Sequence, residues 1–260
     1  MSIPELLLLV LAAAAGGAIN SVAGGGTFIT FPLLIAVGVS PISANATNSL
    51  GMWIGGLGSI SAYRRELGQV RHLLIPFSII STLGGLAGAG LLLITPERTF
   101  VQLIPFLLLG ATILFAFGGK ISAALRRRYG DVSSVTSGAT FFAVLAFQFL
   151  VAIYGGYFGA GQGILMLAAF AVLGLGTIHV QNSLKVVLGA LINGIAALAF
   201  VVAGKIDWPA AAALTVGVII GGYGGASLAR RMPPAVVRGI VIAIGVSLTV
   251  YYFINLFFMQ

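Results

Sequence analysis

Cysteine is absent from this chain of 260 residues. Its absence excludes disulfides, zinc–thiolate sites, iron–sulfur clusters and thiol nucleophiles. Charge is scarce as well. Only 7% of residues are Asp, Glu, Lys or Arg, where a soluble domain carries about 25%. Acids are rarest, five in all, and each falls outside the apolar core of a hydrophobic segment. No intramembrane carboxylate is therefore expected to relay protons. His72 and His179 are the two histidines and lie too far apart to suggest a metal motif. The pattern G-x-x-x-x-G-K-[ST] is missing, which argues against ATP as an energy source. No Ser–His or Asp–Asp pair sits where adjacent helices would form a hydrolytic site. Neither an enzyme, a cofactor nor a metal is expected. The apolar run from Leu6 has no Lys or Arg before it, so it lacks the basic start of a signal peptide and reads as a first transmembrane helix.

Hydrophobic residues fill 59% of the chain, and there are 37 glycines. Small residues let helices approach closely in lipid. The net charge of +8 reads as an orientation signal, because Lys and Arg collect in cytoplasmic loops; nucleic acid is not an expected partner. Apolar segments fall at 4–22, 27–39, 41–63, 73–94, 99–119, 134–155, 161–175, 178–203, 208–229 and 235–258. A spanning helix needs about 20 apolar residues. The expected fold is thus an all-α polytopic membrane protein with about 8 long transmembrane helices and two short, glycine-broken segments, ten in all. The short segments are 27–39 and 161–175. They follow Gly24-Gly25-Gly26 and Gly159-Ala160-Gly161-Gln162-Gly163, and glycine runs interrupt helices because ordering them costs the most backbone entropy.

The two breaks hold matching places in two halves. Laying Gly24 on Gly161 puts Asn45 on Asn182 and Asn48 on Lys185; a register one residue shorter puts Ser49 on Lys185 instead. Gly68-Gln69-Val70 pairs with Gly204-Lys205-Ile206. The expected organisation is a first repeat over 1–119, a basic cytoplasmic linker over 120–133 and a second repeat over 134–260. With five crossings per half, the second repeat is inverted. The loop 64–72, the linker and the turn 230–238 then share one side and hold ten of the thirteen Lys and Arg residues. The positive-inside rule accordingly places both termini outside.

Inverted repeats with short, interrupted segments at matching positions point to a transporter site. Lys185 is the one charge between Val180 and Ala203, and an intramembrane charge is by default a functional-site hypothesis. Two helix starts, Ser40-Pro41 and Thr177, are expected to meet near the midplane. They bring Asn45, Thr47, Asn48 and Ser49 from one half and Gln181, Asn182, Ser183 and Lys185 from the other, with Asn193 continuing the stripe. Asn20 and Gln162 flank the breaks and either satisfy freed backbone or touch ligand. The candidate binding set is Lys185, Asn45, Asn48, Asn182, Ser49, Thr47, Asn20, Gly24, Gly25, Gly26, Gly161, Gln162, Gly163 and Asn193. Amide donors, one cation and no acid suit a small oxyanion. The competing reading of the glycines is helix packing, and of the amides, bonds between helices. Tyr63, Tyr154 and Tyr157 are expected as interfacial anchors, and His179 as a capping or interface residue.

These blocks resemble the sulfite exporter TauE/SafE family, also called the TSUP membrane transporters. The likeness runs through Asn20-Ser21-Val22-Ala23-Gly24-Gly25-Gly26-Thr27-Phe28 with Phe31-Pro32, Ala44-Asn45-Ala46-Thr47-Asn48-Ser49 and Tyr63-Arg64-Arg65-Glu66-Leu67. In the second half it continues through Gly156-Tyr157-Phe158-Gly159-Ala160-Gly161-Gln162-Gly163, Asn182-Ser183-Leu184-Lys185, Asn193-Gly194 and Gly204-Lys205-Ile206-Asp207-Trp208. The resemblance implies export or uptake of small sulfur anions such as sulfite, sulfoacetate and related organosulfonates, and in some members of other organic acids. Some members carry Lys where this chain has Ser49. The expectation is a secondary transporter moving a sulfur oxyanion or organosulfonate by alternating access. The alternatives are an anion channel and a carboxylate transporter of the same architecture. The expected partners are that small anion and the lipid bilayer, with a homodimer allowed for. The expected location is the cell membrane, a bacterial inner membrane, as a multi-pass protein.

Overall fold

The computed structural model describes residues 1–22, 25–62, 64–129, 138–175, 177–222 and 234–258. Gly24, Tyr63, the linker residues 130–133 and the turn residues 223–233 lie outside the described residues. The described elements are all helical: α1 (Ile3–Val22), α2 (Thr27–Ala36), α3 (Pro41–Ala62), α4 (Arg64–Leu67), α5 (Arg71–Ile94), α6 (Glu97–Tyr129), α7 (Ala139–Tyr157), α8 (Gln162–Val172), α9 (Ile178–Val202), α10 (Trp208–Ile220) and α11 (Pro234–Phe258). A short 3₁₀ turn, Gly68–Val70, joins α4 to α5.

Six of these helices are long and apolar enough to cross a membrane: α1, α5, α6, α7, α9 and α11. Two other segments expected as long spans differ. α3 has 22 residues, but Asn45, Thr47, Asn48 and Ser49 in its first half lower its hydropathy. α10 is described only to Ile220. α6 is longer than expected, with 33 residues. At 1.5 Å per residue it measures about 50 Å, well beyond a hydrocarbon core of about 30 Å. Its last turns, from Lys120 to Tyr129, are helix over much of the segment expected as a linker.

In lipid, helices associate through close packing rather than through exclusion of water, and here glycine provides the approach. A Cβ on Gly17 of α1 would lie 2.7 Å from the Val218 carbonyl oxygen of α10. One on Gly84 of α5 would lie 2.6 Å from Ala152 Cβ and 2.8 Å from the Phe149 carbonyl oxygen of α7. One on Gly88 would overlap the Ile153 carbonyl oxygen. Larger side chains fill the space on either side. Leu9, Phe28, Phe31, Phe100 and Phe158 belong to one buried cluster. Phe77, Phe141, Phe170, Leu184 and Ile192 belong to another.

The pairing of helices has a symmetry. α1 packs on α10 as α5 packs on α7, α3 on α10 as α9 on α5, and α2 on α3 as α8 on α9; α3 packs on α9 and α6 on α11. Exchanging α1, α2, α3, α5 and α6 for α7, α8, α9, α10 and α11 maps this set of pairs onto itself. The crossings α1–α10 and α5–α7 each take one helix from either half, so the halves interlock.

Gly88→Ala should destabilise the protein by about 1–3 kcal/mol, the usual penalty for overpacking a close contact. Gly90→Ala should be near neutral, because nothing lies within 4 Å of a Cβ there. Thermal unfolding in detergent reads both; equal midpoints would refute the glycine contact.

Candidate functional site

A cavity of about 170 Å³ lies where α1, α2, α3, α8, α9 and α10 converge. On α3 its wall is Asn48, Ser49, Met52, Trp53, Gly55 and Gly56; on α9 it is Lys185, Val186, Gly189, Ala190 and Asn193. One constant offset, the one that lays Pro41 on Ile178 at the helix starts, sends Asn48 to Lys185, Ser49 to Val186, Met52 to Gly189, Trp53 to Ala190 and Gly56 to Asn193. It also sends Thr27 of α2 to Ile164 of α8, and both line the cavity. The lining therefore favours the register with Asn48 on Lys185 over the shorter one.

The cavity sits beside the middle of α3 and α9, about two turns or more from their starts. The helix starts that reach it are those of the short helices: Thr27 opens α2, and Gln162 with Gly163 opens α8. This corrects the expected arrangement. α8 follows Gly161, whose φ of +77° is left-handed backbone that glycine adopts without a Cβ penalty. Neither α2 nor α8 receives a side-chain cap. A helix start leaves four N–H groups without intrahelical partners and carries about half a positive charge. Here turns meet most of those groups: the Phe28, Ile29 and Thr30 N–H groups donate to the Gly25 and Gly26 carbonyl oxygens, and the Gln162 and Ile164 N–H groups to those of Gly159 and Gly161, so what each start turns toward the cavity is chiefly the positive end of its dipole. Tyr154 supports the break by donating its hydroxyl to the Ala160 carbonyl oxygen at 2.6 Å.

Lys185 is half-buried and lines the cavity. Its stem runs beside the first turn of α8: a Cβ on Gly163 would lie 3.1 Å from Lys185 Cδ and 3.8 Å from Cε. No hydrogen bond or ion pair reaches the ammonium from the other described residues. The cation and the positive end of α8 thus lie side by side with no described carboxylate between them. Across the cavity, Trp53 stands over Gly194, where a Cβ would be 2.7 Å from the indole Nε1.

The remaining candidates separate into wall and scaffold. Asn20, Asn48, Ser49, Gln162, Gly163, Lys185 and Asn193 line the cavity. Asn48 is also a strut: its Oδ1 accepts from Thr30 Oγ1 at 2.5 Å and its Nδ2 donates to Thr27 Oγ1 at 3.3 Å, tying α2 to α3. Ser49 donates back to the Asn45 carbonyl oxygen at 2.9 Å. Gln162 Nε2 donates to Asn193 Oδ1 at 3.4 Å, while Gln162 Oε1 is buried without a partner.

Asn45, Thr47, Asn182, Gly25, Gly26 and Gly161 are not in the wall. Asn45 is turned to α7, donating to the Tyr157 carbonyl oxygen at 3.0 Å. Thr47 Oγ1 accepts from the Asp207 N–H at 3.0 Å, at the start of α10. Gly25 packs near Phe115 and Val241, and Gly26 near Gly16. Tyr154 and Tyr157 are interior groups rather than interfacial anchors: Tyr157 is 8% exposed and meets Phe100 edge-on at 5.8 Å. Sequence reasoning missed Met52 and Trp53. Their signal is the stripe Asn48, Met52, Gly55–Gly56, spaced four and then three or four residues apart on one helix face.

The family model for sulfite exporter TauE/SafE matches residues 8–252. A probable membrane transporter protein, ORF9, from Sinorhizobium sp is 26% identical over 89% of this chain and 86% of its own length. A probable membrane transporter protein from Haemophilus influenzae is 29% identical over 89% of this chain and 88% of its own. YfcA of Escherichia coli K12, another probable membrane transporter protein, is 27% identical over 87% and 81%. No solved structure matches the chain significantly.

Asn48→Ala should cost stability through two lost bonds at a buried site, about 1–3 kcal/mol. Ser49→Ala, which loses only a local bond within α3, should cost less. Thermal unfolding in detergent orders the two, and the reverse order would remove Asn48 from its role as a strut.

Proposed function

Since the chain belongs to the sulfite exporter TauE/SafE family of membrane transporters, we propose that it is a secondary transporter for a small anion, with a sulfur oxyanion or short organosulfonate as substrate. The observation that carries this reading is the Lys185 ammonium, paired with no other described residue, beside the start of α8, which no side chain caps. Two positive ends in a low-dielectric space raise each other's energy, and a buried charge stays charged only when it is paired. An anion between them satisfies both. Helix starts bind such groups through backbone N–H donors. Asn193 and Gln162 stand on the same wall and offer further polar contacts.

The cavity volume favours a small ligand. At about 170 Å³ it is smaller than the usual ligand pocket of about 300–1,000 Å³, which suits an oxyanion with a short organic group. Met52, Trp53 and Met166 on the wall suit that group. The exchange symmetry of the helix pairs and the gathering of ten cations in three loops support inverted repeats with both termini outside.

A thermal-shift screen against sulfite, sulfate, thiosulfate, sulfoacetate, taurine and simple carboxylates should raise the unfolding midpoint with a sulfur anion, because ligand bound only to the folded state stabilises it. Lys185→Met should remove the shift. Truncating one partner of a buried charged pair costs about 2–5 kcal/mol, roughly thirtyfold or more in affinity. A shift that survives Lys185→Met would sink the assigned site, and shifts with carboxylates alone would replace the sulfur substrate. Gly163→Ala should weaken binding as well, by about tenfold, since a methyl at 3.1 Å pushes the lysine stem from its track, at a cost of about 1 kcal/mol or more. An unchanged dissociation constant in isothermal titration would count against that track.

A further inference from the structure

The offset that matches the two cavity walls also matches two asparagines and two helix ends. It lays Asn45 on Asn182 and Asn20, near the end of α1, on Tyr157, at the end of α7. In the described structure one of these pairs is bonded: Asn45 Nδ2 donates to the Tyr157 carbonyl oxygen at 3.0 Å. The equivalent pair is apart. No hydrogen bond joins Asn182 to Asn20, Asn182 is half-buried and Asn20 is exposed.

The surroundings break symmetry in the same sense. Beside the bonded pair, Ile192 is fully buried and Tyr157 is 8% exposed. A Cβ on Gly85 would lie 2.9 Å from Ile195 Cγ2 and 3.1 Å from Ile192 Cα, so α5, α7 and α9 are pressed together there. At the equivalent places beside the open pair stand Gly55 and Gly222, which line the cavity and are only half-buried. A Cβ on Gly55 would overlap the Val218 side chain, so α3 and α10 are also in close contact; the two ends differ in that the bonded one is sealed away from the cavity wall while its counterpart lines it.

We infer that Asn45 and Asn182 are a pair of alternating latches. Asn45 holds the end of α7 shut in the state described; in the other end state Asn182 holds the end of α1 by bonding the Asn20 carbonyl oxygen while Asn45 lets go. Both asparagines are positioning residues that act on helix ends and do not touch the substrate. The energetic logic is symmetric. Each state keeps one amide bond and loses its twin, so this bond by itself favours neither, and substrate selects between them by differential affinity. This inference rests on the alternating-access reading above.

The natural absence of cysteine makes the test direct. Asn20→Cys and Ile192→Cys, each as the one cysteine of the full chain in membrane vesicles, report the open and the sealed end to a membrane-impermeant maleimide. Asn20→Cys should label from one face. Ile192→Cys should be nearly inert from both. Adding Asn45→Ala, or the near-isosteric Asn45→Leu, should raise Ile192→Cys labelling about fivefold from the opposite face, the population shift expected for one lost hydrogen bond. Adding Asn182→Ala should not raise it. No rise with either Asn45 variant, or an equal rise with Asn182→Ala, would overturn the latch. The labelling needs no ligand, so a failed anion screen would retire the substrate site without touching this result, and a failed labelling test would leave the anion site standing.

Discussion

Backbone that leaves a helix inside a bilayer finds no water to bond. Two such departures, one before α2 and one before α8, set the terms for the rest of this molecule. Each is closed by turns onto glycine carbonyls, at Gly25 and Gly26 before α2 and at Gly159 and Gly161 before α8, and each turns the positive end of a short helix toward the cavity. The long helices are arranged around those two ends. α3 and α9 form opposing walls, α1 and α10 close one side, and glycine contacts at Gly17, Gly84 and Gly88 bring the supporting helices near enough to keep lipid out.

The two breaks differ in geometry and in chemistry: Gly26 before α2 is right-handed, with φ −57°, and Gly161 before α8 is left-handed, with φ +77°. At α2, Asn48 spends both ends of its amide on Thr27 and Thr30. At α8 the equivalent residue is Lys185, and opposite it stand Ile164 and Leu167 in place of the two threonines. One half ties its short helix to α3 through Asn48; the other ties its short helix to α9 through Gln162 and Asn193 and offers a cation to whatever enters. A pseudo-symmetric cavity with two lysines would place like charges across a small space. A single lysine avoids that repulsion and gives the site a direction.

Much of the fold was legible in the sequence because apolar length and glycine breaks are local signals. Starts at Pro41, Gln162 and Ile178 follow from proline, from glycine and from the polar Thr177. Lys185 was legible because a charge in hydrocarbon needs a reason. Helix phase was less accessible. Asn45, Asn48 and Asn182 all read as polar residues near a helix start, yet only Asn48 of the three faces the cavity. Spacing states which residues share a face, while the neighbouring helix decides what that face meets. Asn45 and Thr47 are drawn to backbone groups of Tyr157 and Asp207, 112 and 160 residues away. Tyr154 misled for a similar reason. Its place near a segment end resembles an anchor, but its hydroxyl is needed inward, on a carbonyl freed by the break. Trp53 and Met52 carried no polar mark to separate cavity wall from lipid-facing surface.

The position of Trp53 has an optical consequence. The chain has two tryptophans. Trp208 stands at the start of α10 and is 61% exposed. Trp53 alone looks onto the cavity, its ring over Gly194. Its emission colour depends on the polarity of that small chamber, so the molecule carries its own fluorophore where an anion would displace water, against an exposed indole outside the cavity that serves as an internal reference.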